Sequence, residues 1–430
     1  MPTLRIAIVT FGSRGDVQPY VALGLGLKHA GHSVRVVTQR DCESLVREYG
    51  LDYGAVAGDV RAMMGSEVGQ QAINTSPNPV RFGWSAMKLV QPLLRQMAID
   101  CLAACEESDV LLCFAFFRPF GISLAEKLRI PYVEAAVVPM HPTRAFPSPS
   151  LPLSTYRLGG TMNRVTHIIA SQAFAQVFRP AVNRMRQEVL DLPSWPVWNA
   201  SPSRRQQRNL VLYGFSPSVV PRPADWDELL KVTGYWFLDP PTQWRPPADL
   251  VDFLQAGPPP VYMGFGSIPS RNTTSAGETT RLVVSALTLA KQRGILLAGW
   301  GGLQQSDLPD TVMMVESIPH SWLFPQMAAI VHHGGAGTTA ASLRAGVPSL
   351  LIPFGMDQHY WAQRVADRGV GPPPISRDKL TASGLAQAIL SAMDDQDMRA
   401  RAAKLGEHIR AEDGIGQAVE VFQRCCQPDI

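Results

Sequence analysis

Cysteine is scarce in this chain. Six are found in 430 residues, at positions 42, 101, 105, 113, 425 and 426, and no two form a Cys-x-x-Cys pair. That excludes a disulfide scaffold and a paired-thiol zinc site. Cys101 and Cys105, four apart at helical spacing, read as buried free thiols, and a reducing, cytoplasmic setting is expected. Charge of one sign is also lacking: 39 Lys+Arg stand against 36 Asp+Glu, a net +3, which excludes nucleic-acid binding by charge alone. No apolar run reaches the ~18 residues of a spanning helix, and MPTLRIAIVTFGSRGD at the start lacks the basic-then-apolar pattern of a signal peptide. Neither secretion nor an integral membrane segment is expected. A dinucleotide fingerprint is missing as well. GSRGD at 12–16 has the wrong spacing, and residues 24–31 read G-x-G-x-x-x-x-G inside a helical pattern, which counts against a nucleotide-dependent oxidoreductase.

What is present is an ordinary globular composition, 46% hydrophobic, long enough for two or three domains at ~100–200 residues each. Residues 4–11, LRIAIVTF, form a short apolar run ending in glycines, as expected of a strand buried on both faces of a parallel sheet. A helical pattern over 19–28 follows, with Pro19 expected near its start, and then a strand over 33–38. The rhythm continues with DVLLCFAF at 109–116, a helix near 119–128 and PYVEAAVV at 131–138. Residues 193–260 carry 13 of the 36 prolines and five of the nine tryptophans. Proline at that density predicts irregular structure between two domains, with the tryptophans packed between them. The rhythm then restarts: strands over 260–267, 295–300, 311–317, 328–333 and 348–353, with a mainly helical tail over 385–424. Two α/β, doubly wound, Rossmann-like domains are predicted, with ligands beyond the carboxyl ends of the strands.

Chemistry concentrates in a few turns. In AAIVHHGGAGTTAASLRAG, 328–346, a strand runs into His333, Gly335, Gly337 and Thr338. Glycines admit close backbone approach, and a helix start with unpaired N–H groups favours a phosphate; a tight packing turn is the plain alternative. Asp357-Gln358 follows the next strand and could bond neighbouring sugar hydroxyls, or cap a helix. Asp16, after Gly12-Ser13-Arg14-Gly15, could accept a proton or support the helix start. Ser267, in GFGS, is the corresponding turn serine of the second half. Asp395-Gln396-Asp397 has the letters of a metal-binding pair, yet its polar surroundings predict a helix cap.

Taken together, GSRGDVQP at 12–19, WLFP at 322–325, HHGGAGTT at 332–339 and DQHYW at 357–361 resemble the GT-B fold UDP-glycosyltransferases. The match looks most like the sterol 3-beta-glucosyltransferases and next most like the bacterial antibiotic and macrolide glycosyltransferases. The resemblance implies two Rossmann-like domains facing across a cleft: an acceptor-binding domain over 1–215, a linker over 216–242, a nucleotide-sugar domain over 243–405, and a C-terminal helix over 406–430 returning to the first domain. It implies inverting transfer of glucose or a similar hexose from UDP-sugar, with a dTDP-sugar as alternative donor, to a hydroxyl of a sterol, triterpenoid, polyketide or flavonoid. No metal or other cofactor is implied.

Asp16 stands at the catalytic base of that family. His333, Gly335, Gly337, Thr338 and Ser267 stand at its diphosphate cradle, with Ser13 and Arg14 reaching toward the donor, Arg14 equally readable as a surface arginine. Asp357 and Gln358 match the pair on the transferred sugar. Departures fall at the base and ribose positions. Val315 replaces a stacking tryptophan, Ile318 a glutamine, Ala341 a glutamate and Gly337 an asparagine, so the nucleoside base would rest on apolar contact near Val315 and Ile318. Residues 60–95 and 139–200 are expected to shape the acceptor pocket, with Phe117, Met140 and His141 nearest it. Peripheral membrane contact stays open. The rival classes are the oxidoreductase and a catalytically inactive glycosyltransferase-like partner protein.

Overall fold

A computed structural model describes residues 2–59, 79–151, 159–197, 209–265, 276–298 and 308–426. The chain divides into two compact units, Met1–Leu238 with Asp413–Ile430, and Asp239–Glu412.

The first unit is a seven-stranded parallel sheet. Its strands are β1 (Arg5–Val9), β2 (Ser33–Gln39), β3 (Asp52–Val56), β4 (Val110–Phe114), β5 (Tyr132–Ala136), β6 (Val211–Tyr213) and β7 (Leu230–Val232), in the order β3-β2-β1-β4-β5-β6-β7. Alternate residues of each strand feed different cores. Ala7, Val9, Leu111 and Cys113 pack with helices α3 (Pro79–Cys105), α4 (Arg118–Leu128) and α5 (Gly160–Glu188). Ile6, Ile8, Leu112 and Val133 pack with α1 (Arg14–His29), α2 (Glu43–Glu48) and α13 (Gly414–Cys425). Burial on both faces explains why the strands read as unbroken apolar runs. α13 brings the chain back to the first unit and lays Ala418, Val419 and Phe422 against α1. A large apolar side chain buried this way contributes roughly 1.5–3 kcal/mol. The approach is close enough that a methyl group on Gly26 of α1 would collide with Ile415.

The second unit is a five-stranded parallel sheet of β8 (Val261–Gly264), β9 (Gly294–Leu297), β10 (Val312–Val315), β11 (Ala329–His332) and β12 (Ser349–Leu351), in the order β10-β9-β8-β11-β12. It carries α6 (Ala248–Gln255), α7 (Ala276–Ala290), α8 (His320–Leu323), α9 (Ala336–Ala345), α10 (Gln358–Asp367), α11 (Ala382–Asp394) and α12 (Gln396–Ala411). The first five strands of each unit share one winding. Each sheet therefore has a switch point where the strand order reverses, between β1 and β4 and between β8 and β11. Open α/β sheets bind ligands at such points.

Several expectations are corrected. Pro19 lies inside α1, which begins five residues earlier at Arg14. The proline-rich stretch is not wholly irregular, because β6 and β7 lie within it and extend the first sheet. The first unit runs to Leu238 and resumes at Asp413. The described tryptophans of that stretch have packing partners within their own units. Trp226 stacks on Tyr213 at 4.7 Å, and Trp236 meets Tyr20 at 6.0 Å, both within the first unit. Trp195 covers the Arg186 guanidinium there, and Trp244 packs on Trp322 within the second unit. Trp198 is outside the described residues.

Candidate functional site

In the second unit, β11 delivers two histidines to the switch point. His332 is buried and neutral, burial holding it well below the usual imidazole range. Its Nδ1 accepts the Gly334 N–H at 3.1 Å, and its Nε2 lies 3.5 Å from the Ser342 hydroxyl, which donates to the Thr339 carbonyl at 2.9 Å. Gly334 has φ +92°, and a side chain there would press on the Gln358 carbonyl at 3.1 Å. Glycine is thus required on two counts. His333 turns the other way. Its ring lies over Gly335, where an added Cβ would stand 2.6 Å from Nε2. Burial lowers its pKa to about 4, against the opposing effect of the Gly264 carbonyl. Nδ1 of His333 is buried with no hydrogen-bond partner among the described residues.

α9 starts at Ala336, so Gly337 and Thr338 belong to its first turn. The N-cap is Gly335, and no side chain caps the helix. Its first N–H groups and positive dipole end are therefore not met by a capping side chain.

Asp357 and Gln358 open α10 beside this turn. Gln358 is buried, and its Oε1 accepts the Phe354 and Gly355 N–H groups at 2.7 and 3.3 Å. Its amide nitrogen makes none of these bonds. Asp357 makes no side-chain cap; its Oδ2 accepts the Trp361 indole N–H at 2.9 Å. Met356 just before has φ 54°, a left-handed conformation that costs a non-glycine residue about 1–2 kcal/mol. Val315 and Ile318 are buried in the apolar cluster of Tyr262, Leu323 and Ile330. Ser267 lies outside the described residues. Asp395 caps α12, accepting the Met398 N–H at 2.8 Å.

In the first unit, Asp16 is the third residue of α1 and half-buried. One oxygen, Oδ2, accepts both the Ser13 N–H at 2.8 Å and the Ser13 hydroxyl at 2.9 Å, a capping-box arrangement. Among the described residues nothing donates to Oδ1. Gly12, at φ +134°, must be glycine because the Asp16 carboxylate lies against it. Burial raises the Asp16 pKa, and the two bonds from Ser13 oppose the rise. Arg14 is exposed and bonds Gln18 at 3.2 Å. Phe117 packs its ring on Phe11 at 4.9 Å, joining the loops after β4 and β1. Met140 is exposed. His141 is buried, with Nδ1 2.6 Å from the Tyr213 hydroxyl. Two residues escaped the sequence reading: Glu134 in β5, and Arg118 3.3 Å from it. The signal was a charged letter inside the apolar run PYVEAAVV.

The sequence matches known families in both halves. Residues 6–147 match the glycosyltransferase family 28 N-terminal domain, and residues 298–427 match the erythromycin biosynthesis protein CIII-like C-terminal domain. Sterol 3-beta-glucosyltransferases of Emericella nidulans and Cryptococcus neoformans are 38% and 36% identical over 98% of this chain. The alignments cover 30% and 27% of those proteins, so the chain spans under a third of their length. Among solved structures, the glycotransferase of kitacinnamycin superposes with a TM-score of 0.69 at 20% identity, over 99% of both chains. The calicheamicin glycosyltransferase does so at 0.68 and 17%, over 100% of both. A Streptomyces glycosyltransferase complexed with thymidine diphosphate gives 0.64 and 19%, over 98% of this chain and 99% of that one. The two halves of the chain thus match glycosyltransferase family models, the fold is the GT-B fold of the solved glycosyltransferases, and the chain is similar to the sterol 3-beta-glucosyltransferases.

Proposed function

We propose that the protein transfers glucose, or a similar hexose, from a UDP-sugar to a hydroxyl of a lipophilic acceptor, with inversion and without a metal. The observation that carries this reading is the uncapped start of α9 beside the buried Nδ1 of His333, which has no hydrogen-bond partner among the described residues. A diphosphate suits both. The neutral imidazole lines the phosphate site, while the helix N–H groups and dipole stabilise charge that grows on the departing diphosphate. Asp357 and the Gln358 amide then take the sugar hydroxyls. Uridine is preferred because the donor turn resembles that of the UDP-glycosyltransferases; the neighbour bound to thymidine diphosphate makes that nucleotide the alternative donor.

Asp16 acts as the general base. Ser13 pins one oxygen and leaves Oδ1 to receive the alcohol proton as the acceptor oxygen attacks the anomeric carbon. Direct displacement of the diphosphate by the acceptor oxygen gives inversion in a single step. The raised pKa makes the carboxylate a better proton acceptor than a solvated aspartate. The test is purified protein with a panel of UDP- and dTDP-sugars and lipophilic alcohols, products read by mass, with and without EDTA. A hexosylated alcohol from UDP-glucose, at a rate EDTA leaves intact, is expected. No product and no donor hydrolysis would instead favour an inactive partner protein.

A further inference from the structure

Glu134 is a carboxylate in the middle of a buried parallel strand, 3% exposed, level with Cys113 on β4 and Val9 on β1. Burying a charge there costs free energy unless it is paired, and an apolar side chain would pack the site at least as well. Its partner is Arg118, with Nε 3.3 Å from Oε2; His141 Nε2 is 4.0 Å from Oε1. Arg118 is also poorly placed for stability, since it is the first residue of α4, where the helix dipole disfavours a cation. The pair is not a closed unit either. The Arg118 side chain stays 26% exposed beside the buried Glu134, and the Tyr132 hydroxyl on the same strand is buried with no hydrogen-bond partner among the described residues.

Position gives the pair a use. Arg118 sits in the loop after β4, next to Phe117, whose ring touches Phe11 in the loop after β1 that leads to Asp16. Both loops flank the switch point of the first sheet, where a ligand is expected. A guanidinium only donates hydrogen bonds, so it reads oxygen acceptors. Because Glu134 cancels its charge, a neutral carbonyl oxygen suits it better than a carboxylate, which would face Glu134. Resting on the transferase reading above, we propose that Arg118, held by Glu134, selects acceptor alcohols that carry a carbonyl oxygen away from the hydroxyl to be glycosylated.

The experiment compares a saturated steroid alcohol having a bare distal ring with the same alcohol bearing a ketone on that ring. The wild-type protein should favour the keto form by about tenfold in kcat/KM, mainly through KM, as expected for one hydrogen bond to a charged group. Arg118→Met should bring the ratio close to one while UDP-sugar hydrolysis without acceptor is unchanged. Arg118→Lys, which keeps the charge beside Glu134, guards against a folding defect and should keep part of the preference. A Tm-shift titration with both steroids repeats the comparison without turnover. Equal use or equal binding by the wild type, no binding of either steroid, or a preference that survives Arg118→Met would each overturn the proposal. Loss of donor hydrolysis and transfer in the wild type would sink the transferase reading instead, and the Tm arm would still judge Arg118.

Discussion

At the scale of single residues, the sequence identified chemical types but not protonation states. A histidine beside a glycine-rich turn reads equally as a cation or a neutral donor. Burial decides it: His333 titrates at about 4 and is neutral at physiological pH. His332, His359 and His167 are lowered in the same direction, each chiefly by burial. The unfolded chain takes up these protons near pH 6.5, whereas the folded chain refuses them until lower pH. Stability is therefore expected to hold above pH ~6.5 and to fall as pH drops toward 4. Chemical denaturation between pH 7.5 and pH 4 checks this, and His333→Gln should flatten part of the fall. A stability unchanged over that range would mean that the imidazoles are solvated. Glu134 shows what sequence alone hides. Its letter was visible, but its pairing with Arg118, 16 positions away, follows only from the alignment of β5 with the start of α4.

At the scale of elements, the strands that carry the site were legible because parallel strands buried on both faces leave continuous apolar runs ending in glycine. β6 and β7 were not, being three residues each amid prolines. The long helices α3 and α5 were missed too. Each holds an internal proline, Pro92 and Pro180, that argues against a helix on sequence grounds. Two glycines separate function from packing. Gly335→Ala would drive a methyl group into His333 and the phosphate cradle, so UDP affinity should fall at least about tenfold with little change in Tm. Gly26→Ala would collide with Ile415 of α13, so Tm should drop, by about 1–3 kcal/mol of stability, while UDP affinity per folded molecule holds. Calorimetric titration and thermal melts decide both; the opposite pattern would mean that Gly335 serves packing and Gly26 the ligand.

At the scale of the whole molecule, two sheets with one winding divide the work. The first unit holds the candidate base at its switch point, and the second holds the candidate phosphate site at its own. That repeat was visible in sequence as two halves opening alike: strand, glycine turn, helix. What the sequence did not mark was where one unit stops, because the chain leaves the first unit at Leu238 and re-enters it at Asp413. The relatives are more than three times longer than the aligned stretch, so the natural acceptor is best sought with this chain's own activity. The most direct test of the account is sugar transfer by Asp16→Asn alongside its affinity for UDP. Asparagine keeps the shape and cannot take the proton. Turnover should fall by at least about a hundredfold, with UDP bound as tightly as by the wild type; near-normal turnover in that variant would contradict the assignment of Asp16 as the base.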